Sequence, residues 1–260
     1  MRSILVYADR GPSMAARLET GLSLARATGG HVTVLVDTPV SRYIAMDPMG
    51  GSYVASDALK EALADDDAHS DAIEAQLTGQ DVPFDVLRSE ADPVDALASA
   101  ARLADVVILS RSSALAGEMA LTSRTPVLVL PDKSELKLPL GKVCIAWDGG
   151  NEAALAMRSA VPLLVGCGAV HVLTVKEKPG GFPATDAVSY LSRHGVKAEL
   201  SELARTGSTE ETLAATVYRL GGELLVMGAY GKSRMREYLF GGVTRFFLEE
   251  SAKPALLLVH

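Results

Sequence analysis

The residues whose types and spacing could do chemistry lie in one glycine-rich stretch. Gly228-Ala229-Tyr230-Gly231 is followed by nine residues and then by Gly241-Gly242-Val243-Thr244. It follows the apolar run Leu224–Met227 directly and passes into a helical pattern through Arg245, Phe246 and Leu248. Such a stretch suits an anion. Gly228 and Gly231 let the chain turn tightly and bring backbone N–H groups close to a ligand without interference from a Cβ. Gly241 and Gly242 stand where the next helix begins, so its free N–H groups and positive dipole end face the site. Thr244 offers a hydroxyl donor. Lys232, Ser233, Arg234 and Arg236 make the stretch locally basic in a chain whose formal net charge is −7.

Other signals carry less. Gly231-Lys232-Ser233 has the end of a P-loop, but position 226, where the loop's first glycine belongs, is Val. Cys144 and Cys167 are 23 residues apart, with no paired histidine, and do not read as a zinc site. Asp65-Asp66-Asp67 with His69 and Asp71 reads as the solvated face of a helix, and His31 and His171 as strand residues. Phe240, Phe246 and Phe247 read as packing. No serine elbow, zinc-protease helix or carboxylate pair is placed by the sequence, which argues for binding rather than turnover.

The elements that must position the stretch repeat. SILVYAD (3–9) matches KVCIAWD (142–148), and HVTVLVD (31–37) matches AVHVLTV (169–175). DPVDALASAARLA (92–104) matches STEETLAATVYRL (208–220), ADVVILS (104–110) matches GELLVMG (222–228), and PVLVLP (126–131) matches PALLLVH (254–260). Five pairs in one order mean two copies of one unit. Apolar runs with no polar face alternate with helical segments, the mark of parallel strands buried on both sides. The spacing therefore predicts an α/β chain of two tandem doubly wound, Rossmann-like domains, each with a five-stranded, mostly parallel sheet, set as a pseudo-twofold pair. The domains are expected at 1–133 and 141–260, joined by the polar linker PDKSELKLPLG (131–141). Ser208 with Glu211 fits a capping box, and Asp92-Pro93 places proline at a first helical position. The copies differ where chemistry sits. Ser110 to Pro126 spans 16 positions and Gly228 to Pro254 spans 26, so only the second copy has room for the glycine stretch. The first copy has an insertion after its second strand, read as a loop over 38–56 and a long helix over 57–79.

The chain has 260 residues, 48% hydrophobic and 22% charged. That suffices for two cores, and the acidic balance argues against a nucleic-acid or anionic-membrane binder. The start MRSILVYADR reads as a strand rather than a signal peptide, and no 18-residue apolar run is present. With two cysteines and no disulfide framework, a cytoplasmic protein is expected.

These residues carry a resemblance. The second copy resembles a universal stress protein domain over essentially its whole length: Asp148 at the end of a first strand, MGAYG at 227–231, GGVT at 241–244 and a closing strand after Lys253-Pro254. The first copy resembles the same domain in its strands but lacks the glycine motif. The resemblance implies a stress-response protein that binds ATP or another adenine nucleotide, with Mg²⁺ as a candidate companion, and that regulates rather than turns over, with at most slow ATP hydrolysis. It places Asp148 at the adenine or ribose, Val175 on adenine and Met227 against the nucleoside. Gly228, Gly231 and Gly241 would give N–H groups to ribose and phosphates, with Val243 and Thr244 at the phosphate end. Gly242 stands where the family has Ser or Thr, keeping an N–H but losing a hydroxyl. Trp147 either lines the pocket and stacks on the base or belongs to the core. In the first copy Asp9 and Asp37 sit at the nucleoside positions, and Ser110-Arg111-Ser112-Ser113 replaces the glycine turn. Arg111 or Ser112 is there a candidate for a small anion, against decay of that half to a structural partner. The alternatives are a nucleotide-free scaffold acting through protein contacts, and an enzyme on the same frame. A protein partner or a homodimer is the candidate macromolecular contact.

Overall fold

The computed structural model of the chain describes residues 1–46, 52–175, 182–229, 242–250 and 254–260. Its first half runs β1 (Ser3–Tyr7), α1 (Met14–Thr28), β2 (His31–Asp37), β3 (Ile44–Met46), β4 (Ser52–Val54), α2 (Ser56–Thr78), β5 (Phe84–Ser89), α3 (Pro93–Ala100), β6 (Val106–Ser110), α4 (Leu115–Thr122) and β7 (Val127–Leu130). The second half runs β8 (Lys142–Ala146), α5 (Asn151–Leu164), β9 (Ala169–Val175), α6 (Ala184–Arg193), β10 (Ala198–Leu203), α7 (Thr209–Leu220), β11 (Leu224–Gly228), α8 (Gly242–Glu249) and β12 (Ala255–Val259).

All strands but β3 and β4 form one sheet in the order β10-β9-β8-β11-β12-β7-β6-β1-β2-β5. Within each half the pairings are parallel, as the unbroken apolar runs require. The one antiparallel pairing of this sheet joins the halves: Leu256, Leu257 and Leu258 of β12 face Val129, Leu128 and Val127 of β7. The two halves thus lie head to tail, and the carboxyl ends of their strands point opposite ways.

Alternate strand residues feed two cores. Ile4 and Val6 join Leu18 and Leu22 of α1, Ile73 and Leu77 of α2, Ala156 and Ala160 of α5 and Leu191 of α6 on one face. Leu5 and Tyr7 join Leu97 of α3, Met119 of α4, Leu213 and Val217 of α7 and Phe247 of α8 on the other. Local signals hold: the capping box closes between Ser208 and Glu211, and Pro93 opens α3.

Two sequence readings are corrected. The described residues of 38–56, namely 38–46 and 52–56, are not a plain loop. A 3-10 turn at Val40–Tyr43 leads into an antiparallel hairpin of β3 and β4, and α2 starts at Ser56. Nor is the linker simply a polar spacer. Leu136 and Leu140 are buried, and the N–H groups of Lys133, Leu136 and Leu138 donate to hydroxyls of Ser13, Thr20 and Ser23, on and just before α1. Pairing those N–H groups with α1 satisfies donors that burial would otherwise leave costly. No helix among the described residues is long and apolar enough to cross a membrane.

Leu257 is fully buried at the seam. Leu257→Ala should cost about 2–5 kcal/mol, because the rigid strand pair cannot collapse into the cavity. Urea denaturation should show this loss in a single transition for both halves. A loss confined to one half would show that the seam does not couple them.

Candidate functional site

Strand order reverses between β8 and β11, where the chain leaves for β9 and β10 and returns on the other side of β8. Ligands of open α/β sheets bind beyond the carboxyl ends of strands at such a reversal. Ala146 pairs with Leu173 and Ile145 with Val226, and the Trp147 N–H donates to the Leu173 carbonyl at 2.8 Å. This register brings Asp148, Val175, Met227 and Gly228 out together at the carboxyl ends of three adjacent strands. Asp148 is exposed, and its Oδ1 accepts the Gly150 N–H at 2.8 Å, shaping the turn into α5. Met227 is buried in the core under α7 and α8, with Val175 packed on that core.

Gly228 has a steric role that turn chemistry alone does not predict. A Cβ built there would lie 2.7 Å from the Ala153 nitrogen and 2.7 Å from the Glu152 carbonyl carbon. The absent side chain lets the first turn of α5 close onto the end of β11. Gly242 differs: its Cβ would meet nothing nearer than Glu210 Oε1 at 4.0 Å.

Because β11 and β12 are parallel, α8 must run back along the sheet between them. Its first turn, Gly242-Val243-Thr244, therefore lies at the carboxyl end of β11. Val243 is half-buried and Thr244 buried. Gly231 and Gly241, with Tyr230, Lys232, Ser233, Arg234, Arg236 and Phe240, lie outside the described residues.

Trp147 belongs to the core. It is buried among the residues beneath α5 and α6, and its Nε1 donates to the Phe182 carbonyl at 3.0 Å. The Phe182 N–H in turn donates to the Gly149 carbonyl at 3.1 Å. These two bonds hold an exposed aromatic residue beside the Asp148 turn, a neighbour the sequence reading missed. Its signal was slight: one Phe after Gly180-Gly181, before a proline that opens a helix.

The first half has the same reversal between β1 and β6 but fills it from within. Arg17 of α1, 1% exposed, donates from Nε to the Tyr7 carbonyl at 2.8 Å. It also donates from Nη1 to Ser110 Oγ at 2.6 Å and from Nη2 to Asp9 Oδ1 at 2.5 Å. By the repeat, Arg17 stands where the second half has Ala156, and Ser110 where it has Gly228. Sequence reasoning missed Arg17; alignment of the two copies would have found it. Asp37 carries a hydrogen bond with Tyr7. Burial holds its carboxyl above the usual carboxylate range, which the Tyr7 bond and Arg42 counter only in part. Burial and Asp37 also push the Tyr7 phenol up.

The small-anion candidates of that half are engaged otherwise. Ser112 binds Asp132 through its N–H and its hydroxyl, at 3.1 and 2.7 Å. Arg111 donates to the carbonyls of Glu250 and Pro254. Asp65 and Asp66 pair with Arg10, and Asp67 and Asp71 with Arg88, as a solvated helix face should. No group of three or more His, Cys, Asp or Glu side chains that could hold a metal occurs among the described residues. Cys144 is buried, and burial lifts its thiol to about 11. Cys167 is partly buried and also raised, chiefly by burial.

Over 99% of the chain the structure matches 96% of a universal stress protein from Archaeoglobus fulgidus DSM 4304, with a TM-score of 0.72 at 14% identity. All of it matches 93% of a provisionally named universal stress protein from Pseudomonas aeruginosa UCBPP-PA14, with a TM-score of 0.62 at 16% identity. All of it also matches 92% of a functionally unknown protein from Pseudomonas aeruginosa PAO1, with a TM-score of 0.60 at 17% identity. No protein-family model and no curated protein matches the chain. The full length of the chain therefore has the tandem universal stress protein fold.

Gly228→Ala should destabilise by about 1–3 kcal/mol, because helix backbone must move. Gly242→Ala should stay within about 0.5 kcal/mol, like other open positions. Equal losses in chemical denaturation would refute the steric account of Gly228. Asp37 gives a pH prediction. The folded chain keeps this carboxyl protonated to higher pH than the unfolded chain, so its contribution to stability is present in acid. That contribution is lost as pH rises through the folded-state titration. Asp37→Asn keeps an acceptor for Tyr7 and removes the loss. It should raise stability at about pH 7 relative to wild type, with the gain shrinking toward about pH 4. Denaturation curves of constant separation across that range would contradict this.

Proposed function

We propose that the chain is a universal stress protein whose second half binds an adenine nucleotide and which acts by binding rather than by turnover. One observation carries this: at the same reversal of strand order the first half is filled by Arg17, whereas the second has Ala156, Gly228 and the exposed carboxylate of Asp148. In this reading Asp148 accepts from the ribose or the base, and Val175 and Met227 offer an apolar wall to adenine. The N–H groups of Gly228, Gly231 and Gly241, with those of the first turn of α8, take ribose and phosphate oxygens. An anion there is favoured by the positive end of the helix dipole. Gly242 supplies an N–H where the family has a hydroxyl, so phosphate would be held mainly by backbone.

Gly242 leaves room for a nucleotide, since a Cβ there would meet nothing nearer than 4.0 Å. Among the described residues no carboxylate cluster for a metal occurs, so Mg²⁺ would enter on the phosphates rather than be held by the protein. One nucleotide per chain follows, because Arg17 and its three acceptors fill the other half. A cytoplasmic setting fits the two unpaired thiols.

The test is to denature purified protein and identify the released small molecules by mass spectrometry, then to measure melting with added ATP. ATP, ADP or AMP at about one per chain is expected, or a rise of about 5–10 °C at roughly 100 times Kd. Asp148→Ala should weaken affinity about tenfold, as loss of one hydrogen bond to a bound group does. An empty preparation with no shift at millimolar ATP would overturn the nucleotide reading and favour the scaffold.

A further inference from the structure

We infer that Arg111 is a positioning residue through which the first half holds helix α8, and with it the phosphate end of the site, in the second half. The inference rests on the nucleotide reading and gives the degenerate half a part in it.

Arg111 follows β6 as Ala229 follows β11, and both keep the same backbone bond: Arg111 N–H to the Leu130 carbonyl and Ala229 N–H to the Val259 carbonyl, each at 2.8 Å. Only the first copy has a long side chain there. Since β7 and β12 are antiparallel, the carboxyl end of β6 lies beside the opposite end of the second half. That is where α8 finishes and β12 begins. The Arg111 guanidinium crosses to it, Nη1 donating to the Glu250 carbonyl and Nη2 to the Pro254 carbonyl. The Glu250 N–H still closes the last turn of α8 on the Phe246 carbonyl at 3.1 Å, so the Glu250 carbonyl is one that a helix end leaves without an internal partner. A planar guanidinium can satisfy two carbonyls at once, which an ammonium cannot do in the same fixed geometry.

The consequence is electrical as well as steric. Arg111 places a cation at the carboxyl end of α8, and the proposed phosphates place an anion at its amino end. Each favours the helix dipole of the other, and each fixes the helix that the other needs. Burial pulls the Arg111 guanidinium below its ordinary value, yet it stays charged throughout the physiological range. The coupling is therefore insensitive to pH.

The experiment uses the full chain with Arg111→Ala and Arg111→Met, the second keeping the apolar stem. ATP and AMP affinities are read by calorimetry, and amide exchange over residues 242–250 by mass spectrometry without nucleotide. The expected result in both variants is an ATP affinity reduced on the order of tenfold, with AMP affected much less, so that the ATP-to-AMP ratio falls. Exchange in α8 should be faster while α5 is unchanged, and Arg111→Lys should not restore the ratio. Unchanged ATP affinity, an equal loss for ATP and AMP, or unchanged exchange in α8 would each overturn the inference. If wild-type protein binds neither nucleotide, the proposed function falls and the coupling with it, whereas wild-type binding with indifferent variants removes Arg111 alone.

Discussion

The antiparallel pairing of β7 with β12 is the constraint on which the rest depends. Six fully buried residues, Val127, Leu128, Val129, Leu256, Leu257 and Leu258, join two parallel sheets into one. Parallel strands need crossover helices, which cover both faces, so each half can extend only at its edges. Pairing the last strands closes one edge of each half. It also turns the halves head to tail, which puts the end of β6 beneath the end of α8. The reach of Arg111 follows from that register.

The two halves show what one backbone does with two sets of side chains at one place. In the second half, glycine at the end of β11 lets α5 approach, and a buried alanine on α5 stands where the first half has arginine. In the first half, serine ends β6 and arginine stands on α1, and the two bond across the gap with Asp9 as counter-ion. Arg17 is buried, so its desolvation must be offset by its three acceptors. Removing any one would leave a charge short of partners, and for that reason the filling is stable rather than adjustable. The α2 insertion adds to the same region: Asp66 takes Arg10 and the Thr38 hydroxyl, and His69 Nε2 lies 3.3 Å from the Ala8 carbonyl.

Much of this was legible in the sequence. Unbroken apolar runs determined the parallel sheet, and the internal repeat determined the two halves. The glycine spacing points to the carboxyl end of β11, where strand order reverses. What escaped depended on contacts between distant segments. Arg17 sits on an amphipathic helix, where an arginine ordinarily reads as solvent-facing. The β3–β4 hairpin has three-residue strands, too short for a period to register. Leu136 and Leu140 were hidden in a stretch whose Lys, Glu and Ser content reads as polar. Arg111 reads from its charge as an anion candidate, but its partners belong to the other half and emerge only with the seam.

Joining two sheets also bears on solubility. A sheet edge is a row of unpaired donors and acceptors that invites another chain to add a strand. Two separate five-stranded sheets would present four such rows, and the continuous sheet presents two, at β5 and β10. Both remaining edges carry exposed charge: Asp85 and Arg88 on β5, Glu199 and Glu202 on β10. A second molecule approaching β10 edge to edge with its own β10 would bring carboxylates together. The seam inside the chain thus takes up the association that strand edges favour, and the outer strands discourage its continuation into open-ended aggregates.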